Sequence, residues 1–167
     1  MITYVDTSTL IKLLIDEVGT REAAAIWDEP DVLVSARVGH VEARAALAAA
    51  RRRGTITEAV QRTAIAGLEV LWSQVSVVEI DEDLMRLAGD LAATHGLPGY
   101  DAVHLAGAHL VGADVFSSAD RRLCAVASAA GFHVANPTDG STAPATPEHP
   151  TPQAESVPTR RQERPTR

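Results

Sequence analysis

The chain has 167 residues, 46% of them apolar, and a formal net charge of −7. This is enough for one domain with a real core, and no apolar stretch approaches the roughly 18 residues that suggest a membrane span. The negative charge argues against a protein that holds nucleic acid by bulk electrostatics.

In chain order, strand-like and helix-like segments alternate. Ile2 to Asp6 is a short β run, and Ser8 is placed to cap a helix through Leu10, Leu13 and Leu14. A helix from Thr20 to Trp27 precedes the strand Asp31 to Ser35. A long helix follows from Arg37 to Arg53, stopped by Gly54. The next runs from Thr57 to Trp72, with Thr55 or Thr57 as cap. Val75 to Ile80 is β-branched, and Asp81 opens a helix reaching His95. After the Gly96-Leu97-Pro98-Gly99 loop come a helix from Tyr100 to Val111 and a strand from Asp114 to Ser117. A helix from Ala119 to Ala130 ends at Gly131, before a last strand over Phe132 to Val134. Strands separated by helices imply parallel pairing. The expected fold is α/β: a three-layer α/β/α sandwich around a central, mostly parallel sheet of about five strands.

At Asn136-Pro137 the composition turns to Pro, Thr, Ser, Glu and Arg. Such a segment buries too little apolar surface to offset its ordering entropy. Residues 1–136 are therefore read as the folded domain and 137–167 as a disordered tail. The tail sums to zero, with Asp139, Glu148, Glu155 and Glu163 against Arg160, Arg161, Arg164 and Arg167, so the excess negative charge lies in the folded part. The N-terminus has no basic n-region, and the single Cys124 reads as a buried inert thiol. A cytoplasmic protein is expected.

In open parallel sheets, ligands bind outside the carboxyl ends of the strands. Asp6 closes the first strand, and Asp120 lies just past the strand ending at Ser117. Asp101 falls in the first turn of its helix, near free N–H groups and the positive end of the dipole. Asp114 starts its strand, which puts it at the opposite edge and out of the site. Glu42 lies inside a helix with Val38, Ala45 and Ala46 one turn away. A glutamate on such a stripe needs a metal or a partner, for which Arg44 is the nearest candidate. Taken singly, Asp6 reads equally as a turn residue, Asp101 as a first-turn acid and Asp120 as a helix cap. Brought together, the carboxylates would repel by kcal/mol each unless protonated or bound to a divalent cation. An all-oxygen donor set suits Mg²⁺ or Mn²⁺ rather than zinc.

Four segments carry a family resemblance: Tyr4-Val5-Asp6-Thr7-Ser8-Thr9-Leu10, Val41-Glu42-Ala43-Arg44-Ala45-Ala46-Leu47, Tyr100-Asp101-Ala102-Val103-His104-Leu105-Ala106 and Phe116-Ser117-Ser118-Ala119-Asp120-Arg121-Arg122-Leu123. In this order and strand–helix context, the chain resembles PIN-domain ribonucleases, in particular VapC-type toxins of type II toxin–antitoxin systems. The resemblance covers residues 2 to about 136. It implies that Asp6, Glu42, Asp101 and Asp120 are the metal-binding acids, with Asp6 and Asp101 as direct ligands. Ser118 and Ser8 would orient metal-held water, although capping is the plainer role for Ser8. The implied reaction is Mg²⁺- or Mn²⁺-assisted hydrolysis of RNA by water. A cognate antitoxin and a homodimer are the implied partners.

Arg121-Arg122 and Arg51-Arg52-Arg53 are candidate phosphate contacts. The alternative is surface solvation for both sets, and for the second set the cation preference of a helix C-terminus. His104 lies one turn after Asp101, where it either faces the site or serves as a packed structural residue. Two other functions compete. A haloacid-dehalogenase-type phosphatase would want an aspartate two residues after Asp6, where this chain has Ser8. A non-catalytic partner-binding α/β module would use apolar faces on the helices over 8–15 and 57–72.

Overall fold

The computed structural model describes residues 1–139. The elements are β1 (Ile2–Val5), α1 (Thr7–Leu14), α2 (Thr20–Asp28), β2 (Val32–Ala36), α3 (Val38–Arg52), α4 (Glu58–Trp72), β3 (Ser76–Val78), α5 (Glu82–His95), α6 (Gly99–Leu110), β4 (Val115–Ser117), α7 (Arg121–Ala129) and β5 (His133–Ala135). Local chemistry sets several of these bounds. The Thr57 hydroxyl accepts Val60 N–H at 3.2 Å to start α4, and the Asp81 carboxylate accepts Leu84 N–H at 2.9 Å to start α5. Gly96 ends α5 in the left-handed region at φ 63°.

Most bounds differ from the sequence reading by a residue, and three differences have local causes. Helix α1 begins at Thr7 with Asp6 in the cap position, so Ser8 is not its cap. Helix α7 begins after Asp120, which caps it through its carboxylate. Strand β3 keeps only three residues, because pairing ends at Ala36↔Val78, where β2 turns into α3.

All five strands are parallel, in the order β3-β2-β1-β4-β5. The chain therefore builds outward from β1 in one direction through β2 and β3, and in the other through β4 and β5. The reversal leaves a crevice between the carboxyl ends of β1 and β4, the usual ligand position in such sheets.

Alternation along β1 sends neighbouring side chains to opposite faces. Tyr4 joins Val34 and Phe116, its partners in register, in the core beneath α5, α6 and α7. Val5 joins Leu10, Trp27, Ala43 and Leu68 in a second core against α1 to α4. The sheet is thus buried on both faces, and the three layers follow. Leu13 and Leu14 of α1 pack against that second core, which removes α1 as an exposed apolar face, whereas α4 exposes Val60 and Val70.

Packing runs a little past the change in composition. Pro137 is fully buried, and Thr138 N–H donates to the Asn136 side chain at 2.7 Å. The rest of the expected tail, 140–167, lies outside the described residues. Among the described residues, no helix is long and apolar enough to cross a membrane.

Helix α6 lies close on the sheet because Gly107 has no side chain. A Cβ there would meet the Tyr4 hydroxyl at 3.0 Å and its ring at 3.1 Å. The Tyr4 ring is stacked on Phe116, with centroids 5.5 Å apart and planes at 4°, and its hydroxyl is hydrogen-bonded, so it has nowhere to retreat. Gly107→Ala is expected to destabilise the fold by about 1–3 kcal/mol through overpacking. Urea denaturation measures this, and an unchanged midpoint would show that α6 can shift.

Candidate active site

Asp6, Glu42, Asp101 and Asp120 line one cleft of about 420 Å³ at the crevice between β1 and β4. Asp6 is 6% exposed at the end of β1. The parallel register carries past the strand, where Asp6 N–H donates to the Ser117 carbonyl at 2.9 Å. Its Oδ2 accepts two hydroxyls, Ser8 at 2.7 Å and Ser118 at 2.8 Å. The serines also tie the two strand ends together: Ser8 Oγ accepts Ala119 N–H at 2.8 Å, and Ser118 Oγ accepts Asp120 N–H at 3.0 Å. Ser8 thus orients a carboxylate and latches β1 to the segment after β4.

Glu42 reaches the cleft from the second turn of α3. Its Oε2 accepts the Thr7 hydroxyl at 2.8 Å and His104 Nε2 at 2.7 Å. The arginine partner considered for it is elsewhere: Arg44 lies 3.6 Å from Glu69. The apolar stripe expected beside Glu42 is only partly inward, because Ala45 is exposed. What brings Glu42 inward is the close approach of α3 at Gly39, where a Cβ would stand 3.0 Å from Ser35 Oγ and 3.5 Å from the His104 ring. Asp120 caps α7, its Oδ1 accepting Arg122 N–H at 2.7 Å and Leu123 N–H at 3.1 Å. Its reading as a cap and its place in the cleft therefore both hold.

A common pattern emerges. Asp6, Glu42 and Asp120 each commit one carboxylate oxygen to two protein donors. Among the described residues, the second oxygen of each accepts no hydrogen bond. Asp101 has no hydrogen-bonding side-chain partner there at all. Burial, then repulsion from Asp6 and Asp120, pushes its carboxyl above the ordinary value of 3.8, against a smaller pull from His104. In their present rotamers, no three His, Cys, Asp or Glu side chains among the described residues gather closely enough to hold one ion.

His104 is both buried and turned to the site. It is 1% exposed, with Nδ1 2.9 Å from the Tyr4 hydroxyl and Nε2 2.7 Å from Glu42. Burial alone would lower its pKa. The Glu42 hydrogen bond and the charges of Asp6, Glu42 and Asp101 outweigh it and raise the imidazole above 6.5. Burial likewise opposes ionisation of Glu42, but His104 and then Thr7 hold it below its ordinary value.

Thr7, Tyr4 and Lys12 were not singled out from the sequence. Thr7 and Tyr4 carried no signal beyond their place in the segment around Asp6. Lys12 did: it is the sole lysine of the chain and sits one turn after Ser8. It is 7% exposed and lines the cleft, with Nζ 2.7 Å from the Val18 carbonyl and 3.2 Å from Glu17. Asp114 is where its strand position put it, at the opposite edge, accepting Ile2 N–H at 2.7 Å. Arg121 pairs with Asp139 at 3.3 Å, Arg122 donates to the Gly96 carbonyl, and Arg51 pairs with Glu58 at 3.0 Å. Burial pushes the Cys124 thiol up to about 11, as befits an inert side chain. A cleft of comparable size, about 510 Å³, lies beside Arg37, His40 and Trp72, but Arg37 is paired with Glu79 and His40 with Glu69. Size therefore does not mark the site; the convergence of four carboxylates on one cleft does.

The PIN domain family model matches residues 3–129. Ribonuclease VapC45 of Mycobacterium tuberculosis (strain CDC 1551 / Oshkosh) is 43% identical over 134 residues, 79% of this chain and 93% of that protein. Ribonuclease VapC49 of strain ATCC 25618 / H37Rv matches to the same extent. Among solved structures, M. tuberculosis VapC20, described as a sarcin-ricin loop cleaving toxin, superposes with a TM-score of 0.61 at 25% identity, covering 78% of this chain and 95% of that one. A toxin-antitoxin complex from Klebsiella pneumoniae shares the fold, with a TM-score of 0.58 at 18% identity over 81% and 97% of the two chains.

Burial and the neighbouring carboxylates make the ionised form of Asp101 unfavourable. Its folded pKa is raised, so its charge opposes folding at neutral pH, and the penalty fades as pH falls and the carboxyl takes up a proton. Asp101→Asn is expected to raise the melting temperature of chelator-treated protein at neutral pH by a few degrees. A melting temperature equal to or below that of wild type would contradict the repulsion.

Proposed function

Since the chain belongs to the PIN-domain family and resembles VapC ribonucleases within it, we propose that it is a metal-dependent endoribonuclease, the toxin of a toxin–antitoxin pair. The family match displaces the phosphatase alternative. The observation that carries the reading is the one cleft lined by Asp6, Glu42, Asp101 and Asp120, three of which hold one oxygen in protein hydrogen bonds while the other accepts none among the described residues. The nuclease domain corresponds to residues 1–136 and the tail to 137–167, with the first tail residues packed on the domain.

The donor set fits a hard divalent cation, Mg²⁺ or Mn²⁺. Mg²⁺ is commonly held by one or two carboxylates and keeps several waters, so free oxygens around a cleft suit it without a closed cage. The repulsion that raises the Asp101 pKa is what a cation would relieve. Asp6 and Asp101 are the direct ligands in this reading, with Glu42 and Asp120 completing the negative field. When bound, the cation supplies Lewis acidity toward the phosphate and a more acidic water.

The side chains then have distinct tasks. Ser8 and Ser118 hold Asp6 in one orientation, the N-terminus of α7 holds Asp120, and Thr7 with His104 holds Glu42. Asp101, which accepts no hydrogen bond among the described residues, offers its carboxylate to the cation directly. Arg121 and Arg122 are retained as phosphate contacts only if RNA draws them from their present partners. Family membership also supports a cognate antitoxin as partner, a homodimer as the assembly and the cytoplasm as the compartment.

Purified protein is expected to cleave RNA with Mg²⁺ or Mn²⁺ and to stop when EDTA is added. Asp101→Asn is expected to lower cleavage by about 100-fold or more. Undiminished cleavage by that variant would sink the metal-site reading. In cells, wild type but not Asp6→Ala should arrest growth.

A further inference from the structure

We propose that Tyr4 and His104 are positioning residues that set the site's carboxylate geometry from inside the core. The proposal rests on the metal-site reading above and concerns how that site is held in shape.

The chain of contacts starts at the backbone. Ala36 N–H, at the end of β2, donates to the Tyr4 hydroxyl at 2.9 Å. The Tyr4 ring is wholly buried, stacked on Phe116 and roofed by Gly107, so the hydroxyl is fixed in space. That hydroxyl lies 2.9 Å from His104 Nδ1, which fixes one edge of the imidazole. The other edge, Nε2, stands between two carboxylates from different elements. It is 2.7 Å from Glu42 Oε2 on α3 and 3.5 Å from Asp6 Oδ1 at the end of β1.

A polar ring at 1% exposure is costly unless both nitrogens are satisfied, and an apolar residue would fill the same space more cheaply. The geometry gives the ring a use. Its Nε2–H holds Glu42 by one oxygen, with Thr7 as second donor, so the other oxygen is left for the cleft. The same group stands between Glu42 and Asp6, which would otherwise repel. Groups behind a ligand commonly set its orientation in this way, and their loss typically costs about 10–100-fold in metal affinity.

The test is calorimetric titration of chelator-stripped protein with Mn²⁺ at one pH, beside thermal melts of every variant. Tyr4→Phe, nearly isosteric, and His104→Leu are expected to melt cooperatively yet bind Mn²⁺ roughly 10-fold or more weakly. His104→Gln, whose amide N–H can stand in for Nε2–H, is expected to recover part of the loss. Rescue by glutamine but not leucine is a result that space-filling alone would not produce. If His104→Leu does not fold, Tyr4→Phe and His104→Gln decide. Folded Tyr4→Phe and His104→Leu proteins that bind Mn²⁺ as wild type does would overturn the proposal while leaving the metal site standing. Wild type that binds no Mn²⁺, or Asp101→Asn that binds it undiminished, would bring down the site reading itself and this proposal with it.

Discussion

Four carboxylates facing one cleft repel each other, and each must be held there against that repulsion. The fold supplies the restraint from several places in the chain. Two hydroxyls hold Asp6, a helix N-terminus holds Asp120, and a threonine and a buried imidazole hold Glu42. Each arrangement satisfies one oxygen and spares the other. Hydrogen bonds to a charged group are stronger than neutral ones, which is how polar groups at the sheet edge tolerate partial burial.

The restraints depend on the parallel sheet. The register Val5↔Ser117 puts Asp6 beside Ser118, although 112 positions separate them in sequence. The same register lets Ser8 reach Ala119 N–H. Close approaches at Gly39 and Gly107 bring α3 and α6 near enough for Glu42 and His104 to meet over the sheet. Core packing and site geometry are here one problem. The stacked Tyr4 and Phe116 rings fill the layer beneath α6 while the Tyr4 hydroxyl orients the ring that orients Glu42.

Some of this was legible beforehand. Strand-end position sorted Asp6 from Asp114, and the two indeed sit at opposite edges, because a short strand has only two ends. Glu42 was picked out by a rule that worked imperfectly. Its flanking Ala45 is exposed, and its partner is a histidine 62 positions away rather than a neighbouring arginine. Ser8 was assigned to capping because that is the usual local chemistry of serine before an apolar helix. The structure spends it on Asp6 and Ala119 instead, since the helix starts one residue earlier. Pro137 carried the compositional mark of a tail yet is buried, because composition is read over a window and packing is decided residue by residue.

The carboxylates on which the site depends are therefore determined by sequence in identity and in rough position. Local hydrophobic periodicity sets the strands and helices, and their alternation sets the parallel sheet with its carboxyl edge. What only the tertiary structure decided is which oxygen of Asp6, Glu42 and Asp120 accepts the protein's hydrogen bonds. That depends on Thr7, His104, Ser118 and backbone groups brought together from distant parts of the chain. Hydrogen bonds act over about 3 Å, and no pattern along a sequence specifies distances of that size between its ends.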